Sequence, residues 1–324
     1  MPAEQMHDLC VVIVNFRTPR FVTDCLETLL PELDGLSAKV VVVDNFSGDD
    51  SYACMEAWRK VHDLRNRVCI LQSEKNSGFA GGNNTGIRSI EAKFYLLLNS
   101  DTFLRPNAIK TLLKTAEQFP EAGLFSPRLE WPDGRAQESC FRFHSPLSEL
   151  MRAAQTGFID RFLQKYVVAM PVQNRVVHPQ WTSFACVMIR NAVFRQVGFL
   201  DDSYFMYFED VEFCYRACGA GWKIVHNPAA RIVHLRGGSS PVKEKTRLKK
   251  ALPRYFYESR TRFFFQLYGW HGLTATNLMW WAGRMVSLTR QTMGRPDKAA
   301  VERQWLDIWI NWLVPLKRYT PPKS

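Results

Sequence analysis

The chain has 324 residues, 46% of them hydrophobic, which is enough to bury one large core and a smaller appended unit. Its net charge of +11 is unevenly distributed, because residues 1–240 contain 26 basic and 26 acidic side chains whereas residues 241–324 contain 16 and 5. A neutral first part without a recognition motif argues against nucleic-acid binding, so no nucleic-acid partner is expected.

The eight cysteines are scattered along the chain, several inside apolar runs, which favours free thiols in a reducing cytosol. Cys214 and Cys218 have a helical spacing, and core packing explains them better than a shared metal. The polar N-terminus leads directly into the first apolar run and leaves no room for a signal peptide. We therefore expect a cytoplasmic protein.

Short β-branched runs alternate with helical patterns through the first hundred residues, which indicates βαβ units and a parallel sheet. The predicted strands are Cys10–Asn15, Lys39–Asp44, Val68–Gln72 and Phe94–Leu98, and the predicted helices are Pro19–Leu30, Ser51–Lys60 and Gly81–Ile90. Near-continuous apolar strands suit a sheet covered on both faces. Ligands of such sheets bind beyond the carboxyl ends of the strands.

Polar residues follow every one of these strands. They are Asn15, Asp44–Asn45, Glu74–Gly78 and Asn99–Asp101. A single polar strand end is an ordinary turn signal. Four of them at one edge of a sheet predict a binding site.

The stretch Asn76–Gly86 contains four glycines at a strand-to-helix transition. Bare backbone amides at the start of a helix attract phosphate. Alternatively, the glycines let the helix pack closely on the sheet. The stretch matches neither common phosphate-loop pattern, so both interpretations remain open.

The part of the chain after the first hundred residues is predicted to begin with a less regular segment. Between Gly123 and Val177 the sequence indicates a turn at Trp131–Gly134 and a helix near Leu147–Val168. The later predictions are a strand at Trp181–Ile189, helices at Asn191–Val197 and Val211–Ala220, and strands at Lys223–His226 and Arg231–Leu235. Gly237–Pro241 then predicts a domain boundary, with residues 1–240 forming the catalytic domain and 241–324 an extension.

Four acidic or imidazole side chains are candidates for chemistry. Asp101 follows an apolar strand, where a carboxylate can bind a divalent cation that bridges diphosphate oxygens. Glu209 and Asp210 follow an aromatic run and begin a helix, which is also where acids commonly offset the helix dipole. His234 ends a strand and could bind the same metal or the leaving diphosphate.

Taken in order, these motifs resemble the family-2 inverting glycosyltransferases of the GT-A fold, especially their rhamnosyltransferase-like branch. The likeness covers residues 9–240 and lies in Val12–Phe16, Val42–Ser47, Asn76–Asn84, Leu97–Asp101, Phe205–Asp210 and His234–Ser239. It implies an α/β, Rossmann-like nucleotide-diphospho-sugar transferase fold followed by a mainly helical extension.

The resemblance also implies roles for individual residues. The resemblance assigns the catalytic base to Asp210, the ligand of Mg²⁺ or Mn²⁺ to Asp101, and contacts to the nucleotide-sugar to Asn15, Asp44, Asn76 and Gly78. Beside these we expect Glu209 next to the base, His234 as a second metal ligand, and further nucleotide-sugar contacts from Asn45, Asn83, Asn99 and Ser100. The implied reaction is direct displacement with inversion at the anomeric carbon.

Asn99 stands where many relatives have an aspartate, a variant that resembles enzymes using dTDP-rhamnose. The expected acceptor is a glycan or lipid-linked glycan, as in cell-surface polysaccharide synthesis. Two alternatives stay open. One is a UDP-sugar donor carrying galactofuranose, a hexose or GlcNAc, and the other is a catalytically silent, membrane-recruited scaffold.

The extension holds six of the ten tryptophans and has no charged residue between Phe263 and Gly283. Its polar and glycine content makes that stretch a poor membrane-spanning helix and favours an interfacial one. Trp305, Trp309 and Trp312 have a helical spacing beside many basic residues, which suits an anionic membrane surface. Packing on the catalytic domain, or forming a homodimer, is an equally good interpretation.

Overall fold

The structure, a computed structural model, describes residues 6–154, 156, 163–236, 242–294 and 301–321. Eight strands form one sheet in the order β3-β2-β1-β4-β9-β6-β10-β5, and β7 and β8 form a separate pair. The strands are β1 (His7–Asn15), β2 (Ala38–Asp44), β3 (Val68–Gln72), β4 (Ala92–Asn99), β5 (Thr102–Leu104), β6 (Ala122–Glu130), β7 (Cys140–Phe141), β8 (Trp181–Thr182), β9 (Cys186–Arg190) and β10 (Lys223–His234).

Helices cover both faces of the sheet and build the C-terminal region. They are α1 (Pro19–Leu29), α2 (Ser51–Val61), α3 (Gly78–Ser89), α4 (Ala108–Gln118), α5 (Pro146–Ala154), α6 (Asn191–Val197), α7 (Glu209–Gly219), α8 (Val242–Arg247), α9 (Arg254–Thr292) and α10 (Gln304–Asp307), with 3-10 turns at Leu30–Leu33 and Gln164–Tyr166. The α/β class and the helical extension are therefore as predicted.

The parallel prediction is confirmed for the first four strands, and β6 and β10 are also parallel, whereas β5 and β9 run antiparallel to their neighbours. β1 pairs in parallel with β2 and β4, and β2 with β3, whereas β9 runs antiparallel to both β4 and β6. The sheet is mixed because β9 is inserted between β4 and β6 in the opposite direction.

Two hydrophobic layers enclose the sheet. Alternate side chains of β1 enter opposite layers. Leu9, Val11 and Ile13 lie in the layer with α1 and α4. Cys10 and Val12 lie in the layer with α3, α6 and α7. Both sets of strand residues are buried, as the near-continuous apolar strands predicted. The eight cysteines are free.

Several predicted boundaries change in the structure. The predicted strand Trp181–Ile189 is split into β8 and β9 by residues 183–185, and the two predicted strands from Lys223 onward are one strand, β10, with a register shift between Asn227 and Arg231. The segment expected to be irregular contains β6, a member of the main sheet. The turn at Trp131–Gly134 is confirmed by a 2.9 Å hydrogen bond from the Gly134 N–H to the Trp131 carbonyl.

The helix predicted near Leu147–Val168 is shorter, because α5 ends at Ala154. Residues 155 and 157–162 of that prediction lie outside the described part of the chain. The predicted domain boundary at residues 237–241 lies outside it as well.

The extension packs on the first part of the chain. Gly269, with φ +63° and ψ −167°, interrupts α9, and the two halves run back along each other, with Arg260 donating to Asn277 at 2.7 Å. The Arg260 guanidinium also binds the buried carboxylate of Glu149 in α5 at 2.8 Å. The uncharged stretch expected to form an interfacial helix is therefore divided by a chain reversal.

The three tryptophans at helical spacing do not share one helix, because α10 covers Trp305 alone. Trp305 lies 6.2 Å from Trp281, and Trp312 lies 5.5 Å from Trp270, measured between ring centroids. Among the described residues, no helix combines the length and the apolar character needed to cross a bilayer.

Candidate active site

A cavity of about 400 Å³ opens at the carboxyl ends of β1 and β4 and is closed on its far side by the start of α7. Asp101 and Asp210, more than a hundred residues apart in sequence, both line it. The other predicted site residues that line it are Asn45, Asn76, Gly78, Asn99, Ser100, Glu209 and His234. The two carboxylates therefore face one cleft.

Three predicted contacts lie behind the wall of the cavity. Asn15 and Asp44 are buried and bonded to each other, with Asn15 Nδ2 donating to Asp44 Oδ1 at 2.9 Å. Ser47 donates to the same carboxylate and fixes the turn after β2. Asn83 is buried on α3, where its amide donates to the Phe79 carbonyl at 2.9 Å.

Asn45 fastens the loop that follows β3. Its Nδ2 donates to the Gly78 carbonyl at 2.9 Å and to Asn76 Oδ1 at 3.2 Å, and its Oδ1 accepts from the N–H and hydroxyl of Ser77. Both donors and both acceptor directions of this amide are thereby used within the protein. The polar end of β2 therefore shapes the loop of the neighbouring strand.

The glycine-rich stretch serves helix packing at two of its four glycines. A Cβ added at Gly82 would lie 2.8 Å from Val14, and one at Gly86 would lie 2.4 Å from Val12, so these glycines let α3 approach β1. Gly78 differs, because it lines the cavity and has φ +70°. A Cβ there would lie 1.9 Å from the Phe205 carbonyl oxygen. The Phe79 N–H donates to that same oxygen at 2.8 Å, which joins the loop to the aromatic segment before α7.

Asp101 and His234 meet at one side of the cavity, with His234 Nε2 3.4 Å from Asp101 Oδ1. Both side chains are nearly buried, and the Leu235 N–H donates to the Asp101 carbonyl at 3.0 Å, which fixes the end of β10 against this segment. His234 Nδ1 is buried and has no hydrogen-bond partner in the described residues. Within that part of the chain, no three His, Cys, Asp or Glu side chains converge as a ready-made metal cage.

Glu209 and Asp210 begin α7 at the opposite side. Burial raises the pKa of Asp210 to about 6, although the Val211 N–H donates to its Oδ1 at 2.8 Å and favours the ionised form. Burial, and then the neighbouring Asp210 carboxylate, raise the pKa of Glu209 well above its ordinary value. A carboxyl that titrates near neutral pH and faces a cavity is suited to accept a proton.

The aromatic segment before this pair is conformationally strained. Tyr207 and Phe208 both have positive φ, +70° and +68°, in the left-handed region that costs a non-glycine residue about 1–2 kcal/mol. Such strain collects at functional sites because packing elsewhere holds it in place. Phe205, Met206 and Tyr207, which lead into this strained turn, line the cavity.

Further lining residues were missed by the sequence reasoning. They are Val14, Phe16, Phe79, Ser183, Phe184, Ala185 and Tyr255. Ser183–Ala185 is the break between β8 and β9, which the sequence presents as one uninterrupted strand. Tyr255 comes from α9, and its charged surroundings carry no signal of a pocket residue.

Comparison with known sequences points in one direction. The profile of glycosyl transferase family 2 matches residues 10–211. The chain is 28% identical over 262 residues to the low-salt glycan biosynthesis hexosyltransferase Agl10 of Haloferax volcanii, covering 80% of this chain and 75% of that protein. It is 30% identical over 150 residues to the N-acetylglucosaminyl-diphospho-decaprenol L-rhamnosyltransferase of Mycobacterium tuberculosis, covering 45% of this chain and 48% of the relative.

Solved structures support the fold. The mannosyltransferase PcManGT of Pyrobaculum calidifontis, determined in complex with GDP-Man and Mn²⁺, superposes with a TM-score of 0.54 at 12% identity, covering 96% of this chain and 86% of that one. The S. aureus protein TarS 1–349 gives 0.53 at 16% identity, covering 95% and 81%. The predicted GT-A fold is confirmed. With most of the chain inside the matched profile and its strand-end motifs gathered at one cavity, this protein belongs to glycosyl transferase family 2.

Proposed function

We propose that the chain is an inverting glycosyltransferase that moves a sugar from a nucleotide-diphosphate donor to an alcohol of a glycan or lipid-linked glycan. The single observation that carries this proposal is that Asp101 and Asp210 line the same cavity. Residues 1–240 form the catalytic part in this proposal, and residues 241–324 the extension that completes one wall of the cavity through Tyr255.

Asp210 acts as the general base. Its carboxyl, with a pKa of about 6, is mostly ionised at neutral pH and remains basic enough to take the proton of the attacking hydroxyl. The hydroxyl oxygen forms the new bond to the anomeric carbon while the bond to the diphosphate breaks, so the configuration inverts in one displacement. Burial and the Asp210 carboxylate raise the pKa of Glu209 well above its ordinary value, which favours a single negative charge on this pair of neighbours.

Asp101 and His234 are suited to hold Mg²⁺ or Mn²⁺. Mg²⁺ commonly takes one or two protein ligands and completes its coordination with substrate phosphates and water, so a pair of side chains is a fitting donor set. The 3.4 Å approach of His234 Nε2 to Asp101 Oδ1 supports this assignment. Such a cation would offset the negative charge that develops on the departing diphosphate.

The nucleotide-sugar lies along Asn76, Gly78, Asn99 and Ser100 in this proposal, because these residues line the cavity between the two carboxylates. Three of the predicted contacts do not touch the donor in this proposal. They are buried and stabilise the segments behind the cavity wall through their hydrogen bonds: Asn15, Asp44 and Asn83. Asn45 acts through the loop that it fastens.

For the donor we propose dTDP-L-rhamnose. Asn99 in place of an acidic residue supports this choice, as does the relative named as an L-rhamnosyltransferase. The relative named as a hexosyltransferase supports a donor that carries a hexose, and a UDP-linked sugar is the rival that the panel below tests. We place the reaction in polysaccharide or glycan synthesis at the cytoplasmic face of the membrane.

The test is a panel of nucleotide-sugars with Mg²⁺ or Mn²⁺, read by thermal shift and by nucleoside diphosphate release, with the product's anomeric configuration determined by NMR. Asp210→Asn should lower turnover by about 10²–10⁴-fold while donor binding persists. Asp63→Asn is the matched control, because Asp63 is exposed, remote from the cavity and in a left-handed conformation that asparagine tolerates. Full activity of Asp210→Asn would refute the assigned base, and no turnover with any donor would favour the silent scaffold.

A further inference from the structure

Exposed apolar side chains are concentrated in the extension. Of the 19 large hydrophobic residues that are exposed in the described part of the chain, 12 lie between Leu248 and Leu316. Leu313 is 77% exposed and Met285 is 56% exposed. Scattered apolar residues are normal on a surface, but contiguous ones mark an interaction site.

These side chains form one surface because the terminal segment lies along the second half of α9. Trp312 Nε1 donates to Thr274 Oγ1 at 3.2 Å, and the rings of Trp305 and Trp281 are 6.2 Å apart. Thr274, Leu278, Trp281 and Met285 follow the spacing of one helix face. The exposed Leu278 and Met285 therefore lie beside the exposed residues of the terminal segment.

The surface continues past Trp312 to a mainly apolar groove of about 410 Å³, to which Trp270, Val314 and Leu316 contribute and which Lys317 also lines. We name the whole set the C-terminal apolar face. It consists of Trp270, Leu278, Met285, Trp305, Leu306, Leu313, Val314 and Leu316, all exposed.

Basic side chains flank this face at both ends. Lys250 and Arg303 are exposed near Trp305, where the Glu302 N–H donates to the Lys249 carbonyl at 2.8 Å and joins the two segments. Lys317 and Arg318 are exposed at the end near Leu316. Residues 241–324 carry the whole net charge of +11. An apolar face rimmed by lysine and arginine, with tryptophans beside it, is complementary to anionic lipid headgroups above an apolar interior.

We propose that the C-terminal apolar face docks the protein on an anionic lipid surface, with its apolar side chains inserted at the interface and its basic residues on the headgroups. A second copy of the chain is a poorer occupant. A two-fold contact through this face would bring Lys250 and Arg303 of each copy toward the equally basic opposite end of the other. The proposal does not depend on the donor, the acceptor or sugar transfer.

The test is co-sedimentation of the full chain with vesicles of pure phosphatidylcholine and of phosphatidylcholine with 30% phosphatidylglycerol, without any nucleotide-sugar. We expect the protein to pellet with the anionic vesicles and to remain in solution with the neutral ones. The variant Lys250→Glu/Arg303→Glu/Lys317→Glu should lower the partition coefficient about a hundredfold. Each basic residue near an anionic lipid surface adds to the free energy of binding, and this variant removes three of them. Its control, Lys60→Glu/Lys110→Glu/Lys114→Glu, reverses three exposed lysines elsewhere and should change binding much less.

The apolar part is tested with Met285→Ser/Leu306→Ser/Leu313→Ser against Val61→Ser/Val172→Ser/Val176→Ser, three exposed apolar residues outside the extension. We expect the first variant to lose vesicle binding and the second to retain it, with both showing unchanged melting temperatures. A wild-type protein that stays in solution with both kinds of vesicle would overturn the proposal. So would sedimentation equilibrium showing a stable dimer that the first serine variant, but not its control, dissociates.

Discussion

Replacing Gly78 by alanine should uncouple the loop after β3 from the aromatic segment before α7. The new Cβ would lie 1.9 Å from the Phe205 carbonyl oxygen and 2.6 Å from its carbon, in backbone that already has φ +70°. Real Cβ contacts begin near 3 Å, so the Phe205 backbone must move by about 1 Å or the helix start must shift. The hydrogen bond from the Phe79 N–H to Phe205 would be lost in either case.

The free-energy cost has two separable parts. Left-handed backbone at a non-glycine residue costs about 1–2 kcal/mol, and relieving the overlap adds about 1–3 kcal/mol. The catalytic effect is larger, because Phe205–Tyr207 line the cavity and lead directly into Asp210. A misplacement of about 1 Å can lower turnover on the order of a hundredfold.

The assay is the initial rate of nucleoside diphosphate release with the donor that the panel selects, together with the melting temperature. Gly35→Ala is the matched control, because Gly35 has φ +80° but no atom within 4 Å of an added Cβ. It should lower the melting temperature through backbone strain alone and leave kcat unchanged. Wild-type turnover by Gly78→Ala, or an equal loss by Gly35→Ala, would refute the argument.

Three further predictions concern single side chains. Burial raises the pKa of Asp210 to about 6, so kcat/KM of the wild type should rise as the pH increases through about 6 and the base loses its proton. Asp210→Asn should lower kcat by about 10²–10⁴-fold. A flat profile of kcat/KM between pH 5 and 7 would contradict this role. Asn45→Ala removes the side-chain hydrogen bonds to the loop at Gly78, each of which contributes about 1 kcal/mol. The variant should raise the KM for the donor about tenfold with a smaller change in kcat. An unchanged KM would show that Asn45 does not hold this loop. Glu149→Gln removes the carboxylate that pairs with buried Arg260 and should cost about 3–5 kcal/mol in urea unfolding, whereas Glu121→Gln, at an exposed pair with Lys223, should have little effect.

Strand and helix periodicity predicted the first half of the fold because each of those elements is regular and local. All four predicted strands of the first hundred residues are present, and their polar ends meet at one edge of the sheet. The insertion of β9 between β4 and β6 was not predictable, because strand order depends on contacts between residues far apart in sequence. A break such as Ser183–Ala185 leaves the apolar pattern almost unchanged and is equally hard to see.

The sequence predicted the residues that line the site more accurately than it predicted their hydrogen-bond partners. Asn45 has the residue type of a ligand contact, and only the structure reveals that its amide is used by the loop at Asn76–Gly78. Phosphate binding and close helix packing both require small residues, so the sequence of the glycine-rich stretch does not distinguish between them. Distances to Val12 and Val14 assign Gly82 and Gly86 to packing, and those distances are tertiary information.

Tyr255 in the cavity wall and the buried pair of Arg260 with Glu149 make the extension part of the enzyme's folding unit. A recombinant fragment ending near residue 240 would lose one side of its pocket and leave a buried carboxylate without its guanidinium. Chimaeras with relatives should therefore exchange α9 together with α5 and the aromatic segment, because a crossover between them separates side chains that fit only each other.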